Sequence, residues 1–217
     1  MIKAIIFDMD GVLVNTPKYV WITHNKLLSD FEKHVSDSKI PAYLGQSLVD
    51  QITMFEKNLD IKIDRGRYMK RFEIEMQSNL EHIEKNNSLM NLIKKLKKKF
   101  KLAVATSSST QRCEDVLQHL GILDYFDVII TSEHVKRHKP YPDIFLKAAE
   151  KLGIRPEDCI VIEDAPNGIE AAKRADMKVV GLVTAFVSAK ELKKAGADYI
   201  LNDLKNEKHF FEVVGEE

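Results

Sequence analysis

The chain has 217 residues, enough for one large domain or for a medium-sized domain with a smaller partner. Hydrophobic residues make up 44% of the sequence and charged residues 30%, which excludes a largely disordered chain. The 33 basic and 33 acidic residues cancel, so composition favours neither a nucleic acid nor a membrane surface as partner. No apolar run approaches the ~20 residues of a membrane span. Because Cys113 and Cys159 are too isolated for a disulfide framework, we expect buried thiols in a cytoplasmic protein.

The first predicted element is a short strand, Ala4 to Phe7, which is followed by a long block with helical spacing. Thr16 and Pro17 fit the N-cap and the first position of a helix. Three apolar stripes follow: Val20, His24, Leu27, Leu28 and Phe31; Leu48, Ile52, Phe55 and Leu59; and Tyr68, Phe72, Met76, Leu80 and Ile83. Since no strand pattern interrupts them, residues 16–85 predict an inserted α-helical cap domain.

Strands and helices alternate from about residue 89 onward. Apolar runs predict five more strands: Leu102 to Ala105, Val128 to Ile130, Cys159 to Ile162, Val179 to Val183 and Tyr199 to Leu201. Helical patterns lie between them, one ending at Gly121 and one beginning with Ser188 and Glu191 as a capping box. This alternation predicts an α/β fold, with a Rossmann-like parallel sheet core in residues 1–15 and 86–217 and the cap in residues 16–85.

Two acids, Asp8 and Asp10, follow the first strand. Buried carboxylates are unfavourable unless a cation or hydrogen bonds compensate them, and open parallel sheets bind ligands at the carboxyl ends of their strands. The pair therefore indicates a metal and nucleophile site. A polar turn in which Gly11 supplies a positive φ explains the same residues, so the motif alone favours function only modestly.

Three later segments also place polar residues at strand or loop ends. Thr106 and Ser107 follow the second strand and lead into a helix, where hydroxyls and free N–H groups can hold an anion. Lys139 lies in a proline-stiffened loop, and Glu163 and Asp164 close the fourth strand. Each segment alone has an ordinary explanation, such as a helix cap or a solvated lysine. Their succession along one predicted sheet edge indicates an active site.

Taken in order, these four motifs give the sequence a family resemblance. They are Asp8-x-Asp10-Gly11, Thr106-Ser107, Lys139-Pro140 and Glu163-Asp164. With them, nearly the whole chain resembles the haloacid dehalogenase superfamily, in the branch of helical-cap phosphatases and β-phosphoglucomutase-like enzymes. Two positions depart from the pattern of that branch. Val12 stands where many members have Thr, and Asn15, at the hinge into the cap, stands where an acid is usual.

The resemblance implies a Mg²⁺-dependent phosphomonoesterase that acts on a small phosphorylated metabolite, of the sugar phosphate or phosphoglycolate class, through an aspartyl-phosphate. Asp8 resembles the nucleophile of the family, and Asp10 its general acid/base. The implied phosphate-binding residues are Thr106, Ser107 and Lys139. The implied metal ligands are Asp8, Asp10 through its backbone carbonyl, and Asp164, with Glu163 supporting the site. The resemblance also makes the first and fourth strands neighbours in the sheet.

Two alternatives stay open. A phosphomutase of the β-phosphoglucomutase type shares all four motifs, although Val20 stands where that branch has a cap histidine, and His24 lies one helical turn further on. A non-catalytic phosphoacceptor or interaction module is also α/β with clustered acids and a lysine, although the inserted cap speaks against it. Dehalogenation fits poorly because that branch lacks the second acid, which is present here as Asp10.

A loop in the predicted cap, Gly45, Gln46 and Ser47, is expected to select the substrate because it lies between two cap helices. A small phosphorylated metabolite is the expected partner, without nucleic acid or membrane, and the protein is expected to be a monomer or weak dimer. The lysine-rich run from Lys94 to Lys101 is interpreted as a solvated helix end, because Leu96 and Phe100 continue an apolar stripe through it.

Three further side chains have ordinary interpretations. His134 and His138 are four residues apart, but their segment leads directly into the loop of Lys139, so loop histidines are expected rather than a metal site. Trp21 is expected to fill the core of the cap, as a single aromatic residue usually does.

Overall fold

The computed structural model describes residues 1–84 and 86–215 of the chain. Within them, six strands form one sheet: β1 (Ala4–Phe7), β2 (Lys101–Ala105), β3 (Val128–Ile130), β4 (Cys159–Glu163), β5 (Lys178–Leu182) and β6 (Tyr199–Leu201). Their order across the sheet is β3-β2-β1-β4-β5-β6, and every pairing is parallel. The strands agree with those predicted from the sequence, and the ends of three of them differ by one residue. The α/β Rossmann-like fold is confirmed.

The sheet is covered on both faces, as the continuous apolar runs predict. Successive residues of a strand point to opposite faces, and in β1 Ala4 and Ile6 belong to one buried cluster while Ile5 and Phe7 belong to the other. Nine helices lie among the described residues: α1 (Pro17–Leu28), α2 (Leu48–Leu59), α3 (Arg65–Ser78), α4 (Asn87–Lys97), α5 (Thr110–Leu120), α6 (Asp143–Leu152), α7 (Pro166–Arg174), α8 (Ala189–Ala195) and α9 (Glu207–Val214). Side chains of α6, α7 and α8 join the first cluster, and those of α4, α5 and α9 the second.

Residues 16–84 contain α1, α2, α3 and short 3₁₀ turns, without a strand. An aromatic cluster joins the three helices. Its members are Trp21, His24, Tyr43, Phe55, Tyr68 and Phe72. The helical cap fits this arrangement, but the predicted domain boundaries stay a prediction. Residue 85, where the predicted cap ends, and residues 216–217 of the predicted core lie outside the described residues.

Two details of the cap differ from the sequence prediction. Thr16 precedes α1 as predicted, but its side chain makes no capping hydrogen bond and its hydroxyl donates to Asp10 instead. The third stripe is interrupted, because α3 ends at Ser78 and the Asn79 side-chain amide donates to a carbonyl of the last turn, Glu75 O, at 2.9 Å. Leu80 therefore begins a separate 3₁₀ turn.

The cysteines and the lysine-rich segment agree with the sequence prediction. In the described part of the chain, no helix combines the length and the apolar character that a membrane crossing requires. Cys113 and Cys159 are buried free thiols. Leu96 and Phe100 are buried, whereas Lys94, Lys95, Lys98 and Lys99 around them are exposed, as expected for a solvated helix end.

Candidate active site

The two acids lie at the carboxyl edge of the sheet because they directly follow β1. In the sheet, β1 lies between β2 and β4. The Asp8 N–H donates to Ile162 O of β4 at 2.9 Å, which fixes the start of the loop. Gly11 has φ +90°, and a Cβ there would lie 1.9 Å from Asp164 Oδ2. The turn explanation of Gly11 and the functional explanation of the acids therefore describe the same loop, in which glycine lets the backbone approach Asp164.

Lys139 is the cation at the centre of this edge. Its side chain is fully buried, and its Nζ donates to Asp8 Oδ1 at 2.7 Å, to Glu163 Oε1 at 2.6 Å and to Ala105 O at 3.3 Å. All three donors of the ammonium are therefore used, and each partner comes from the end of a different strand or the loop after it. A loop lysine in this position is a buried structural and electrostatic element, which excludes the solvated interpretation.

Three buried carboxylates, from Asp8, Glu163 and Asp164, bring one oxygen each within 4.8 Å of one another. Both Glu163 oxygens have partners, since Oε2 accepts from the Ala165 N–H at 2.8 Å and Oε1 accepts from Lys139. Asp164 Oδ2, in contrast, is buried and has no hydrogen-bond partner among the described residues. An oxygen-only set with an unpartnered buried oxygen fits a hard divalent cation, with Asp8 and Asp164 as side-chain ligands and Glu163 as support.

The charges of this cluster are poorly balanced. Burial raises the pKa of Asp8 to about 7, a rise that Lys139 opposes and Glu163 increases. Burial also raises the pKa of Asp164 well above its ordinary value, and the neighbouring Glu163 and Asp8 add to the rise. Burial alone would lower the pKa of Lys139. The negative charges of Asp8 and Glu163 outweigh this effect and hold the pKa above its ordinary value. A bound cation would favour the ionised carboxylates.

The Asp10 carboxylate belongs to a separate network. Arg112 of α5 donates from Nη2 to Asp10 Oδ1 at 2.5 Å and from Nη1 to Asp10 Oδ2 at 2.8 Å. Ser108 Oγ donates to Oδ2 at 2.8 Å, and Thr16 Oγ1 donates to Oδ1. Burial alone would raise the pKa of Asp10, but Arg112 and these hydrogen bonds outweigh it and lower the pKa. The Asp10 side chain therefore lies apart from the cluster of Asp8, Glu163 and Asp164, and the resemblance implies only its backbone carbonyl as a metal ligand.

The predicted phosphate-binding residues follow β2. Thr106 is buried, and its Oγ1 accepts from the Ser108 N–H at 3.2 Å, so the loop turns sharply before α5. Ser107 Oγ donates to Gly45 O at 2.7 Å, which joins the loop to the predicted specificity segment. Gly45 itself packs so closely that a Cβ would lie 2.3 Å from Asn167 Oδ1. The two loops therefore meet directly over the edge of the sheet.

A cavity of about 260 Å³ lies between this edge and the cap. Of the predicted site residues, Asp8, Asp10, Gly45, Gln46, Ser47, Thr106, Ser107 and Asp164 line it. Its cap side is mainly apolar, formed by Val20, Leu44, Leu48, Val49, Met69 and Phe72. Lys139 and Glu163 lie behind the wall, because they are covered by the residues they contact. The Asp8 carboxylate thus lines a small space between the sheet edge and the cap.

Comparison with known proteins identifies the family. Residues 5–182, most of the chain, match the family of haloacid dehalogenase-like hydrolases. The chain belongs to that family. It is 31% identical over 214 residues to the phosphorylated carbohydrates phosphatase of Thermotoga maritima, covering 94% of this chain and 98% of that protein. It is also 31% identical over 184 residues to the fructose-1-phosphate phosphatase of Escherichia coli, covering 82% and 94%.

A solved structure also matches nearly the whole length of the haloacid dehalogenase-like chain. The β-phosphoglucomutase of Clostridium difficile is 26% identical, has a TM-score of 0.84 and covers 98% of this chain and 100% of that one. The resemblance stated from the motifs is thereby confirmed. The chain is an enzyme, a hydrolase whose relatives are phosphatases. The expected neighbourhood of the first and fourth strands is also confirmed, since β1 pairs with β4.

Sequence reasoning missed several residues of the site. Arg112 escaped notice because it lies within the helical pattern of α5, although it follows the Thr106 loop by less than two turns. Glu73 of α3 also lines the cavity, where it accepts from Ser109 Oγ at 3.1 Å. The Thr16 hydroxyl was assigned to helix capping. The contacts of Arg112 and Glu73 join distant segments, so local sequence spacing carried no signal for them, whereas the Thr16–Asp10 contact joins residues six apart in the loop after β1.

The remaining singled-out side chains have defined places. Trp21 is buried in the cap, and within the described part of the chain its indole Nε1 has no hydrogen-bond partner. His24 is buried beside it and contacts Tyr68 Oη at 3.0 Å and Gln51 Oε1 at 2.9 Å, so it is part of the cap interior and does not line the cavity. His134 Nδ1 accepts from the Thr131 N–H at 3.0 Å. His138 lines the cavity and contacts Asp50 Oδ2 of α2 at 2.8 Å.

Proposed function

We propose that the protein is a Mg²⁺-dependent phosphomonoesterase that hydrolyses a small phosphorylated metabolite, of the sugar phosphate or phosphoglycolate class, through an aspartyl-phosphate on Asp8. The observation that carries the proposal is the place of Asp8: a buried carboxylate that opens into a small cavity, 2.7 Å from the ammonium of Lys139 and beside the unpartnered oxygen of Asp164. The phosphatase relatives support the same reaction class.

In the first half of the reaction, Asp8 attacks phosphorus in line and the bond to the leaving oxygen breaks. The Lys139 ammonium, held against Asp8 by a hydrogen bond, offsets the negative charge at this edge. We assign Thr106 and Ser107, which line the cavity, to the phosphoryl oxygens, together with Lys139, which must give up one of its three present hydrogen bonds to reach them. Asp10 gives a proton to the leaving oxygen, a role for which a second carboxylate close to the nucleophile is required.

In the second half, water attacks the aspartyl-phosphate and Asp10 takes its proton, which releases phosphate and restores Asp8. The lowered pKa of Asp10 favours the ionised carboxylate, which suits this base role and opposes the earlier acid role, for which Asp10 must hold the proton that it took from water in the preceding turnover. The apolar cap wall over the cavity limits bulk water around the phosphoenzyme. The cap residues thus act by exclusion, while the core residues carry the chemistry.

The metal would be held by Asp8, Asp164 and the backbone carbonyl of Asp10, with Glu163 in support. Mg²⁺ in this place would neutralise phosphoryl oxygens and orient them toward Asp8. The fit rests on the oxygen donors and on the unpartnered Asp164 Oδ2. Gly11 keeps the space beside Asp164 open to the backbone of the loop.

The experiment is a panel of phosphate esters that includes fructose 1-phosphate, glucose 6-phosphate, phosphoglycolate and p-nitrophenyl phosphate. Release of inorganic phosphate is measured with Mg²⁺ and again after EDTA. Turnover that depends on Mg²⁺ and favours at least one small metabolite supports the proposal. The absence of Mg²⁺-dependent turnover across the panel would contradict it, and would return attention to a phosphoacceptor role.

A phosphomutase of the β-phosphoglucomutase type is the second candidate, because a structure of that name matches the whole chain. A mutase needs fixed cations in the cap for a second phosphate. The basic side chains of α3 do not supply them: Arg65 pairs with Glu56, Arg71 pairs with Asp30, and neither lines the cavity. We therefore expect glucose 1-phosphate, if accepted, to give glucose and phosphate. Efficient formation of glucose 6-phosphate, followed by NMR with catalytic glucose 1,6-bisphosphate, would favour the mutase.

The location and assembly of the protein complete the proposal. A cytoplasmic enzyme, present as a monomer or weak dimer, agrees with a soluble small-molecule substrate. Size-exclusion chromatography with light scattering tests the second point directly, because a stable higher oligomer would give a mass several times the 24.9 kDa of the chain.

A further inference from the structure

Arg112 is a buried cation whose position in its helix needs an explanation. It is the third residue of α5, after the N-cap Ser109, and its exposed fraction is 8%. A positive charge in the first turn opposes the helix dipole, which favours negative charge there. Burial of the guanidinium adds a desolvation cost unless an anion pairs with it. The negative charge that stabilises the Arg112 guanidinium must therefore come from a side chain outside the helix.

That partner is Asp10. The two terminal nitrogens of Arg112 donate to the two carboxylate oxygens of Asp10, at 2.5 Å and 2.8 Å, in the two-pronged geometry that a planar guanidinium provides. Arg112 Nη1 also donates to Ser108 Oγ, which itself donates to Asp10. Asp10 and Arg112 are 102 residues apart, so the pair joins the loop after β1 to the helix after β2 across the mouth of the cavity.

A direct role in binding a second anionic group of the substrate fits these contacts poorly. The charge of Arg112 is already balanced by Asp10, and Glu73 of α3 lines the same cavity with a further negative charge. Glu73 is held close to the start of α5 by Ser109 Oγ at 3.1 Å. With two carboxylates around one guanidinium, this part of the cavity carries no surplus positive charge for a substrate.

We propose that Arg112 is a positioning residue, which fixes the Asp10 carboxylate at the cavity for proton transfer. The inference rests on the proposed function, in which Asp10 gives a proton to the leaving oxygen as the Asp8–phosphorus bond forms and the ester bond breaks. Thr16 Oγ1 and Ser108 Oγ each donate to one oxygen of Asp10, whereas the planar Arg112 guanidinium contacts both oxygens at once. Two parallel hydrogen bonds set both its direction and the plane of its oxygens.

The test exploits the chemistry of the leaving group. An alkoxide must receive a proton as it leaves, whereas p-nitrophenolate leaves readily without one, so only alkyl esters need a well-placed Asp10 in the first step. We compare kcat/KM for the best alkyl ester of the panel with that for p-nitrophenyl phosphate, in wild type, Arg112→Met and Arg112→Lys. We expect the alkyl-to-aryl ratio to fall by about 10-fold or more in both variants, because lysine cannot restore the two-pronged contact.

Two controls separate positioning from general damage. Arg71→Met makes the same chemical change at a residue of α3 that pairs with Asp30, outside the cavity, and should leave the ratio within about 2-fold of wild type. In an Asp10→Asn background, Arg112→Met should produce no further change in the ratio, because its effect passes through Asp10. The ratio is insensitive to the fraction of folded enzyme, so partial misfolding of a variant does not obscure it.

The outcomes distinguish the two proposals. Wild-type enzyme without turnover of any ester contradicts the proposed function and this inference together. If wild type is active and Asp10→Asn lowers the ratio, but Arg112→Met and Arg112→Lys leave it unchanged, the phosphatase proposal stands and the positioning role is wrong. A full effect of Arg112→Met in the Asp10→Asn background also contradicts positioning, since it assigns Arg112 a role of its own.

Discussion

The cap interior and the acidic edge of the core both bury titratable side chains, but they do so in opposite ways. In the cap, His24 lies against the rings of Phe55 and Phe72 and finds a partner for each ring nitrogen, Tyr68 and Gln51. Burial lowers its pKa to about 3, so it is neutral near pH 7. At the core edge, three carboxylates lie close together, the Lys139 ammonium contacts two of them, and one oxygen of Asp164 has no partner among the described residues.

In the cap, the buried polar groups are compensated by the protein itself. At the core edge, the buried charges are compensated only when a ligand binds. Neutral, hydrogen-bonded polar groups among aromatic rings hold the cap helices together and require no ion. The core edge keeps an excess of buried negative charge, which costs stability until a cation or a phosphoryl group with its metal is bound. The predictions below test this contrast from both sides.

Asp8→Asn should give the largest effect on activity. The amide cannot form an acyl phosphate, so we expect turnover to fall by at least about a thousand-fold and the phosphoenzyme to disappear. Phosphate release and acid-quenched labelling with a ³²P ester measure the two losses. The matched control is Asp124→Asn, an exposed acid remote from the motifs, which should keep wild-type turnover. Near-normal turnover in Asp8→Asn would remove Asp8 as the nucleophile.

Asp164→Ala should separate the core edge from its cation. In wild type, Mg²⁺ at a hundred times its Kd should stabilise the fold by about 2.7 kcal/mol, which is a rise of about 5 to 10 °C in Tm for a chain of this size. In Asp164→Ala, this rise should be lost, and without Mg²⁺ the variant should be at least as stable as wild type, because one buried carboxylate is gone. An unchanged Mg²⁺-dependent shift in Tm would show that Asp164 is not a ligand.

The pH dependence of stability should have opposite signs in the two regions. For His24, whose pKa falls from 6.5 to about 3 on folding, stability should decrease as the pH falls from about 6.5 toward 3, by no more than about 1.4 kcal/mol per pH unit. For Asp8 without metal, whose pKa rises from 3.8 to about 7, stability should decrease as the pH rises from 3.8 to about 7.

Variants resolve these opposing contributions in urea unfolding curves measured with EDTA. His24→Gln should remove the loss of stability that accompanies a falling pH. Asp8→Asn should remove the loss of stability that accompanies a rising pH. The exposed His34 provides the matched control for the cap, since His34→Gln should leave the pH profile unchanged. A His24→Gln profile that superimposes on wild type would mean that His24 is not held neutral by the cap interior.

The sequence carried most of the fold because strand and helix periodicity is local. The six strands and the stripes of α1, α2 and α3 could be predicted from spacing alone, and the motif residues followed because parallel strands end at one edge. The interruption at Asn79 could not, since it depends on one side chain bonding to its own helix end. Residue spacing also predicted Thr16 to cap a helix, whereas its hydroxyl is directed to Asp10.

The site was predictable where chemistry follows a strand and unpredictable where the cap meets the core. Arg112, Glu73 and His138 reach the cavity through contacts with segments far away in the sequence, and these contacts depend on how the helices pack over the sheet. The burial of Lys139 had the same origin: a lysine in a loop is usually solvated, and only the convergence of three strand ends encloses it. The place of such side chains becomes clear only when the packing of the helices over the sheet is known.

The smallest predicted effect concerns the specificity segment, where the cap touches the substrate space. Gln46 lines the cavity, and its side chain makes no hydrogen bond within residues 1–84 and 86–215. Gln46→Ala should therefore reorder kcat/KM among the phosphorylated metabolites by about 3- to 10-fold and leave p-nitrophenyl phosphate nearly unaffected, because a lost hydrogen bond to a substrate group is worth about 1 kcal/mol.

Ser47 is less suitable for this test, because its Oγ caps α2 by accepting from the Asp50 N–H at 3.2 Å, and its loss also weakens the helix. The matched control is Gln77→Ala on the exposed face of α3. Equal changes for every substrate in Gln46→Ala would count against a specificity role, because a residue that senses the leaving group must distinguish one leaving group from another.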